Sequence, residues 1–233
     1  MQIDIWIFNW PNQTARACKI EQQLHNQGFT CHVINSDPEY TPNHWLNIGN
    51  SAWFAQQWHL ACALFRGDVM FHIQADAEYQ DWASLIQSAQ ETFALHNWGL
   101  YSPNLQHNNW GAVPISAWTS DIPNLHAVAN PDCTCWFIHK DIVEQWKNLD
   151  LKPQDNYLGW GIDCVVSALS WQSQRVVLRD WRHTVYHHPG RGYQDQEAVD
   201  LMYKMFAKLP QELYNIVVME FETPHKLLDC LTS

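Results

Sequence analysis

Two hydrophobic patterns alternate over the first seventy residues of the chain. Short runs rich in β-branched and aromatic residues predict three strands, at residues 3–8, 29–34 and 69–73. Between them, apolar residues recur at helical spacing and predict two helices, at residues 13–27 and 51–65. This order is typical of right-handed βαβ units, so the pattern predicts an α/β fold with a Rossmann-like, mostly parallel central sheet flanked by helices.

The later part of the chain continues with shorter elements. Helices are predicted at residues 81–95, 140–146, 164–171 and 196–208, and strands at residues 99–103, 135–138, 175–178 and 184–188. Residues 104–130 interleave Asn, Trp, Pro and Gly without a regular period, and an irregular stretch of this length inside a domain is often functional. Because no repeat or linker interrupts the pattern, we expect a single domain.

The composition narrows the classes of partner and compartment. The formal charge is −11, from 13 Lys and Arg against 24 Asp and Glu, which argues against nonspecific nucleic-acid binding and, more weakly, against a broad anionic membrane surface. The chain begins without a signal-peptide pattern, and no window reaches the length of a transmembrane helix. Seven scattered cysteines without a zinc-binding pair predict reduced, mostly buried thiols in a cytoplasmic protein.

Three short polar segments carry candidate chemistry, and we call each of them a station. The first station, residues 74–78, follows the predicted strand at residues 69–73. The apolar run stops at Gln74-Ala75-Asp76, with Glu78 two residues further on. Open α/β sheets bind their ligands at the carboxyl ends of strands, and a hard divalent cation accepts one or two carboxylates while substrate phosphates complete its shell. Asp76 is therefore a candidate metal ligand, and the alternative is a turn residue that simply ends the strand. Asp37, after the second strand, is likewise either a ribose or base contact or a turn residue.

The second station is Gly159-Trp160-Gly161-Ile162-Asp163, which leads into a predicted helix. The glycines permit close approach by a ligand and backbone angles that other residues avoid. A helix N-terminus stabilises an Asp as an anion, so Asp163 has the chemistry to accept a proton from a hydroxyl at neutral pH. The alternative is that Asp163 caps the helix and Trp160 fills the core.

The third station is His187-His188-Pro189-Gly190-Arg191-Gly192, at the end of the last predicted strand. Neutral imidazole is a common metal ligand, and Arg191 between glycines is a candidate cation for an anionic ligand. A single histidine in such a place is also commonly a structural polar residue.

Together the three stations resemble the GT-A glycosyltransferases. Gln74-Ala75-Asp76 corresponds to the DxD motif of that family, and Gly159 to Asp163 is similar to the GWGxD segment of inverting galactosyltransferase-like members, whose acid is the catalytic base. His188 corresponds to a late histidine that completes the metal site. Three positions depart from the pattern: Gln74 replaces the first acid, Cys164 stands where a second acid would follow Asp163, and His187 is an alternative ligand to His188, which we prefer because it adjoins the loop.

The resemblance implies one GT-A-like domain over residues 1–233, with a nucleotide-sugar-binding half at about 1–103 and an acceptor-binding, catalytic half at about 104–233. It implies an inverting hexosyltransferase in which Asp76 and His188 hold Mn²⁺ or Mg²⁺ and Asp163 is the general base. The remaining assignments are donor contacts by Asn9, Asp37, Gln74 and Arg191, and contacts of Trp160 and Gly161 with the acceptor or donor sugar. The implied acceptor is a glycan or glycolipid of polysaccharide biosynthesis, which is compatible with peripheral membrane association.

Two other functions fit parts of the sequence. Fourteen tryptophans could form a noncatalytic glycan-binding module, since their rings stack on sugar faces, although tryptophans also fill cores. Asp76 and the two histidines could instead serve a metal-dependent hydrolase or nucleotidyltransferase. A hydrolase would be expected to show more ligands, such as HxxH, and a nucleotidyltransferase would be expected to show a Gly-rich basic loop near the N-terminus. The transferase interpretation accounts for all three stations.

Overall fold

A computed structural model describes residues 1–50, 52–106, 114–187 and 193–232. Within these ranges, seven α-helices lie at Thr14–Asn26 (α1), Phe54–Leu64 (α2), Trp82–Leu95 (α3), Lys140–Asn148 (α4), Ile162–Gln172 (α5), Asp195–Phe206 (α6) and Gln211–Glu222 (α7). The same described residues form nine strands, at Ile3–Asn9 (β1), His32–Asn35 (β2), Leu46–Asn47 (β3), Val69–Gln74 (β4), Ala77–Glu78 (β5), Trp98–Gln106 (β6), Leu125–Ala127 (β7), Cys135–His139 (β8) and Val176–His187 (β9). Short 3₁₀ segments occupy Pro153–Asp155 and Pro224–Leu231.

The described strands form one mixed sheet in the order β3-β2-β1-β4-β8-β6-β9-β5, with β7 paired to β9. Strands β5, β7 and β8 run antiparallel to their neighbours, and the other six strands share one direction. The predicted fold class, a mostly parallel sheet flanked by helices, is confirmed. The reversed strand β8 lies between β4 and β6, a detail that the hydrophobic pattern did not indicate.

Neighbouring residues of β4 show how helices cover both faces of the sheet. Adjacent side chains of a strand point to opposite faces. Phe71 lies 6.1 Å from the Trp82 ring of α3, whereas His72 lies 6.5 Å from the Trp58 ring of α2. The buried Nε1–H of Trp136 donates to His72 Nδ1 at 3.0 Å, and burial lowers the pKa of His72 to about 3. His72 is therefore a neutral core residue.

Most tryptophans belong to the core. Of the thirteen tryptophans that the structure describes, eight are buried: Trp6, Trp45, Trp58, Trp82, Trp98, Trp136, Trp146 and Trp171. Their burial explains the unusual composition by packing, because aromatic side chains contribute large apolar areas to a core.

Several predicted elements need correction. The strand predicted at residues 29–34 begins only at His32, because Gly28 turns the chain with φ +88° and Phe29 N–H bonds back to Leu24. The strands predicted at 175–178 and 184–188 are one long strand, β9. The stretch predicted to be irregular contains β7, and α7 lies beyond the last predicted helix. The prediction stopped at residue 208, although Leu213, Ile216 and Val217 form a buried helical face.

Candidate active site

Four polar side chains meet at the carboxyl ends of β1 and β2, and we call Asn9, Thr14, Asn35 and Asp37 the donor-end network. Asn9 Nδ2 donates to Asn35 Oδ1 at 2.7 Å and to Thr14 Oγ1 at 3.1 Å. Thr14 Oγ1 in turn donates to Asp37 Oδ2 at 2.6 Å. These bonds fix Asn9 and Asp37 beside each other, where the sequence predicted contacts to a donor nucleotide. Asn9 Oδ1 is buried and has no hydrogen-bond partner among the described residues, so it remains an acceptor for a ligand.

Asp76 and His187 meet at the end of the same sheet. Asp76 follows β4, and the next residue, Ala77, pairs in register with His187 of β9. His187 Nε2 lies 3.2 Å from Asp76 Oδ2. Asp76 is only 6% exposed, and its Oδ1 is a buried atom without a hydrogen-bond partner in the described part of the chain. A histidine nitrogen therefore lies beside a buried carboxylate whose other oxygen has no partner among the described residues.

The side chains of Asp76 and His187 fit a divalent cation whose coordination shell is completed by a substrate. A buried carboxylate oxygen without a donor is costly unless a ligand or ion satisfies it. Mg²⁺ is held by one or two carboxylates together with substrate phosphates, and imidazole nitrogen suits the transition metals. Asp76 and His187 are thus the residues that would hold Mn²⁺ or Mg²⁺. His188, the ligand predicted from the sequence, and Arg191 lie outside the described residues.

Three acids from different parts of the chain act electrostatically on the thiol of Cys133, and we call Asp76, Asp132 and Asp163 the acid cluster. Burial raises the pKa of the Cys133 thiol, and all three carboxylates contribute in the same direction. Gln74 Nε2 lies 3.5 Å from both the carbonyl oxygen and the Sγ of Cys133. Gln74 therefore faces the acid cluster from β4, in the place where the family motif would have an acid.

Asp163 lies in the first turn of α5, as the sequence pattern indicated. It is 7% exposed, and its Oδ1 accepts the backbone N–H of Cys164 at 3.0 Å. Burial raises the pKa of Asp163 to about 7, and the neighbouring Asp132 carboxylate contributes to the rise. A carboxyl group with this pKa exchanges a proton readily near neutral pH, which is the property of an efficient general base.

The glycines around Trp160 are explained by packing. Gly159 and Gly161 have φ values of +86° and +79°, which side chains rarely adopt. A Cβ atom on Gly159 would lie 2.4 Å from Phe54, and one on Gly161 would lie 2.6 Å from Met202. The absence of a side chain at Gly161 thus makes room for α6, and the space where its Cβ would lie is filled by Met202 and Phe206.

Trp160 belongs to an aromatic wall formed with Trp53, Tyr157 and Tyr193. Trp160 Nε1 donates to the Tyr193 hydroxyl at 2.7 Å, and the Tyr193 ring lies 6.3 Å from that of Trp53. The Trp53 and Tyr157 rings are 5.7 Å apart. Trp53 is 41% exposed, so the wall presents aromatic surface to solvent beside the turn that carries Asp163.

Two buried charged residues near this site were missed by the sequence reasoning. Glu220 of α7 accepts a hydrogen bond from Asn130 Nδ2 at 2.9 Å, and burial raises its pKa well above the usual range, with the Asp163 carboxylate contributing. Its signal was present, since Glu220 continues the buried face of Leu213 and Val217, where an apolar residue is expected. Arg179 is 1% exposed and donates to Asn104 Oδ1 at 3.0 Å, and Asp132 partly offsets the lowering of its pKa by burial. The sequence reasoning did not consider Arg179, which lies between the strands predicted at residues 175–178 and 184–188.

Within the described residues, no helix is long and apolar enough to cross a membrane. No protein-family model matches this sequence, and no curated protein matches it significantly.

The fold is nevertheless shared with solved glycosyltransferases. The structure of S. aureus TarS 1–349 in complex with UDP-GlcNAc aligns with a TM-score of 0.62 and 12% sequence identity, and the alignment covers 97% of this chain and 73% of the TarS chain. A second similar structure is the mannosyltransferase PcManGT from Pyrobaculum calidifontis in complex with GDP-Man and Mn²⁺. It aligns with a TM-score of 0.61 and 12% sequence identity, and the alignment covers 99% of this chain and 73% of the PcManGT chain. At these identities the likeness establishes the architecture: this chain has the GT-A-like fold of glycosyltransferases that bind nucleotide sugars.

Proposed function

We propose that this protein is a metal-dependent, inverting glycosyltransferase that moves a sugar from a nucleotide donor to a hydroxyl acceptor. One observation carries the proposal. Asp76, whose carboxylate lies 3.2 Å from His187, and the buried acid Asp163 are far apart in the sequence, yet both carboxylates raise the pKa of the Cys133 thiol, which lies beside Gln74 at the carboxyl end of β4. Open α/β folds bind their ligands at this end.

The donor is assigned to the region between the donor-end network and Asp76. Asn9 and Asp37 would contact the nucleoside, and Gln74 would face the donor from β4. Asp76 and His187 would hold the cation, and a bound divalent ion supplies positive charge that neutralises the diphosphate leaving group. His188 and Arg191 remain predictions as alternative ligand and diphosphate contact.

Asp163 is assigned the role of general base. A carboxylate oxygen of Asp163 would take the proton of the acceptor hydroxyl while the acceptor oxygen bonds to the anomeric carbon of the donor sugar. The bond between that carbon and the diphosphate oxygen breaks, and its electron pair leaves with the nucleoside diphosphate. Attack from the face opposite the leaving group inverts the anomeric centre.

The acceptor is assigned to the aromatic wall. Exposed aromatic rings bind the apolar C–H faces of sugars, and Tyr and Trp can also make hydrogen bonds at their polar ends. This supports a glycan or glycolipid acceptor. The burial of eight tryptophans weighs against a binding module built on tryptophans generally, because those rings are unavailable to ligands. The division into halves near residue 103, the cytoplasmic location and the role in polysaccharide biosynthesis remain predictions.

The proposal is tested by thermal shift with UDP- and GDP-linked sugars, with and without Mn²⁺. We expect one donor to raise the melting temperature by several degrees only when Mn²⁺ is present, because the cation and diphosphate bind together. Asp76→Asn should remove this metal-dependent increase. Glu78→Gln is the matched control, since Glu78 pairs with Lys19 at 3.0 Å on the surface. The absence of a shift with every donor, or an equal shift in Asp76→Asn, would contradict the proposal.

A further inference from the structure

Three residues with different metal-binding atoms meet between α1 and β2, in a part of the molecule that the proposed reaction does not use. One ligand atom from each of Glu21, His25 and Cys31 can be chosen so that all three lie within 4.8 Å of one another. In the described ranges of the chain, these residues form the only such group of three among His, Cys, Asp and Glu. By the rise of an α-helix, Glu21 is about 10 Å from Thr14 of the donor-end network.

The local fold brings the three residues together. Glu21 and His25 are four positions apart on α1, so their side chains lie on the same face. After the helix, Gly28 adopts φ +88°, and its N–H bonds to the His25 carbonyl at 3.0 Å. This turn reverses the chain and brings Cys31, which immediately precedes β2, alongside the helix.

A loop residue adds a fourth donor atom, and a buried tryptophan orients the carboxylate. His44 Nε2 lies 3.4 Å from Glu21 Oε1. Trp45 is buried, and its Nε1–H lies 3.1 Å from both carboxylate oxygens of Glu21. The Trp45 bond holds Glu21 in one orientation, as outer hydrogen bonds do for the ligands of protein metal sites.

We propose that Glu21, His25 and Cys31, with His44 as a fourth ligand, form a structural site for Zn²⁺ or a similar borderline-soft cation. Thiolate, imidazole and carboxylate are the ligands that Zn²⁺ takes in proteins, at about 2.0–2.3 Å and in tetrahedral geometry. That geometry places ligand atoms about 3.3–3.8 Å apart. The exposed side chains of His25 and His44 can close the remaining gap by rotation. The ligand set differs from Asp76 and His187, which lack a thiol.

The cation would join three segments of the donor half. Glu21 and His25 belong to α1, Cys31 leads into β2, and His44 lies in the loop between β2 and β3. The same loop leads to Asn47, whose Oδ1 accepts a hydrogen bond from Asn35 Nδ2 at 2.7 Å. Metal binding should therefore stabilise the loop next to the donor-end network.

The first test is titration of the metal-free full chain with Co²⁺ alone, without any nucleotide. We expect one Co²⁺ per chain with thiolate-to-metal charge-transfer absorption, because Co²⁺ occupies zinc sites and the band requires a cysteine ligand. The band should disappear in Cys31→Ser and persist in Cys18→Ser, a control cysteine on α1 whose Sγ lies near Tyr40 instead. Absence of the band in the wild type, or its survival in Cys31→Ser, would overturn the proposal.

The second test is the melting temperature with Zn²⁺ alone. At a free concentration one hundred times Kd, we expect an increase of about 5 °C or more in the wild type and in Cys18→Ser. His25→Ala, at an exposed helix position that should tolerate the change, should reduce the increase to less than half. An equal increase in His25→Ala would count against the site. Neither test involves a sugar donor, so each is independent of the transferase proposal.

Discussion

Two polar regions at the carboxyl end of the sheet satisfy their hydrogen bonds in different ways. In the donor-end network, the side chains form hydrogen bonds to one another at 2.6–3.1 Å. Asn35 lies at its centre, because its Oδ1 accepts from Asn9 Nδ2 and the Asp37 N–H while its Nδ2 donates to Asn47. In the acid cluster, the three carboxylates instead act through their charges on the thiol of Cys133, and Asp132 also acts on Asp163. Asp76 Oδ1 has no hydrogen-bond partner among the described residues, and burial together with Asp132 raises the pKa of Asp163.

We interpret the difference as a division of roles, in which the donor-end network shapes a binding surface and the acid cluster takes part in the proposed reaction. A connected network of buried hydrogen bonds fixes side chains in one arrangement, so the donor-end network is built to present a rigid surface to a ligand. Burial and a neighbouring negative charge both disfavour the ionised form of a carboxyl group, and such perturbed groups concentrate at functional sites. We therefore expect substitutions in the acid cluster to reduce the reaction rate while some of them increase stability, and substitutions in the network to reduce stability.

The largest effect is expected from Asp163→Asn. Loss of a general base reduces the rate by roughly 10²–10⁴-fold, while the metal-dependent thermal shift with the donor should be nearly unchanged. The measurement is single-turnover transfer with a saturating donor. Asp200→Asn, at an exposed position on α6, is the control and should retain full activity. Transfer by Asp163→Asn at the wild-type rate would mean that another group accepts the proton.

The same substitution should stabilise the protein at alkaline pH. The pKa of Asp163 is about 7 in the folded chain and about 3.9 in the unfolded chain, so the folded state favours the neutral acid. The stability that this preference contributes is complete below about pH 4 and is lost as the pH rises through about 7. Asparagine does not titrate. At pH 8 the variant should therefore exceed the wild type by up to about 4 kcal/mol in free energy of unfolding.

Urea unfolding at several pH values between 4 and 8 measures this difference. The gain should grow steadily from pH 4 to pH 7 and approach its limit near pH 8, where Asp163 is almost fully ionised in both states. A gain of the same size at pH 4 would mean that the stabilisation comes from packing and would contradict a raised pKa of Asp163.

A smaller loss is expected when the donor-end network is broken. Asn35→Ala removes the acceptor of Asn9 Nδ2 and Asp37 N–H, and buried polar groups left without partners cost about 1–3 kcal/mol. Asn47→Ala removes three bonds, to Asn35 Nδ2 and to the Pro42 and Trp45 carbonyls, but at an exposed position where water can replace them, so it should cost less than about 1 kcal/mol. Chemical unfolding of both variants gives the comparison, and equal losses would show that Asn35 does not organise the region.

The positions of several candidate site residues could be predicted from sequence because they depend only on local structure. A strand followed at once by Asp76, or a glycine turn followed by Asp163, places the side chain at a known end of an element. The pairing of Asp76 with His187 depends on the register of Ala77 against β9, which a single sequence does not contain. The preference for His188 rested on its position beside the loop, whereas strand pairing places the preceding residue next to Asp76.

The parts that escaped prediction depend on contacts between distant segments. Gly161 was interpreted as room for a ligand, but its missing side chain accommodates Met202 from α6. The insertion of β8 between β4 and β6 reverses one strand in a pattern that otherwise indicates parallel strands. The buried position of Glu220 could have been predicted from the periodicity of α7, but only the packing of α7 against α5 brings Glu220 under the influence of the Asp163 carboxylate.

The smallest effect is expected from Glu220→Gln, which tests whether this second buried acid carries a charge. Burial and the Asp163 carboxylate both raise the pKa of Glu220, so it should be neutral at pH 7, and glutamine preserves its shape and its bond from Asn130. Stability at pH 7 should change by less than about 1 kcal/mol, whereas Glu220→Ala should lose about 1–3 kcal/mol because Asn130 is left without its acceptor. The pH at which transfer is half-maximal should also stay the same in Glu220→Gln. A downward displacement of that pH would mean that Glu220 is ionised beside Asp163 and helps to raise its pKa.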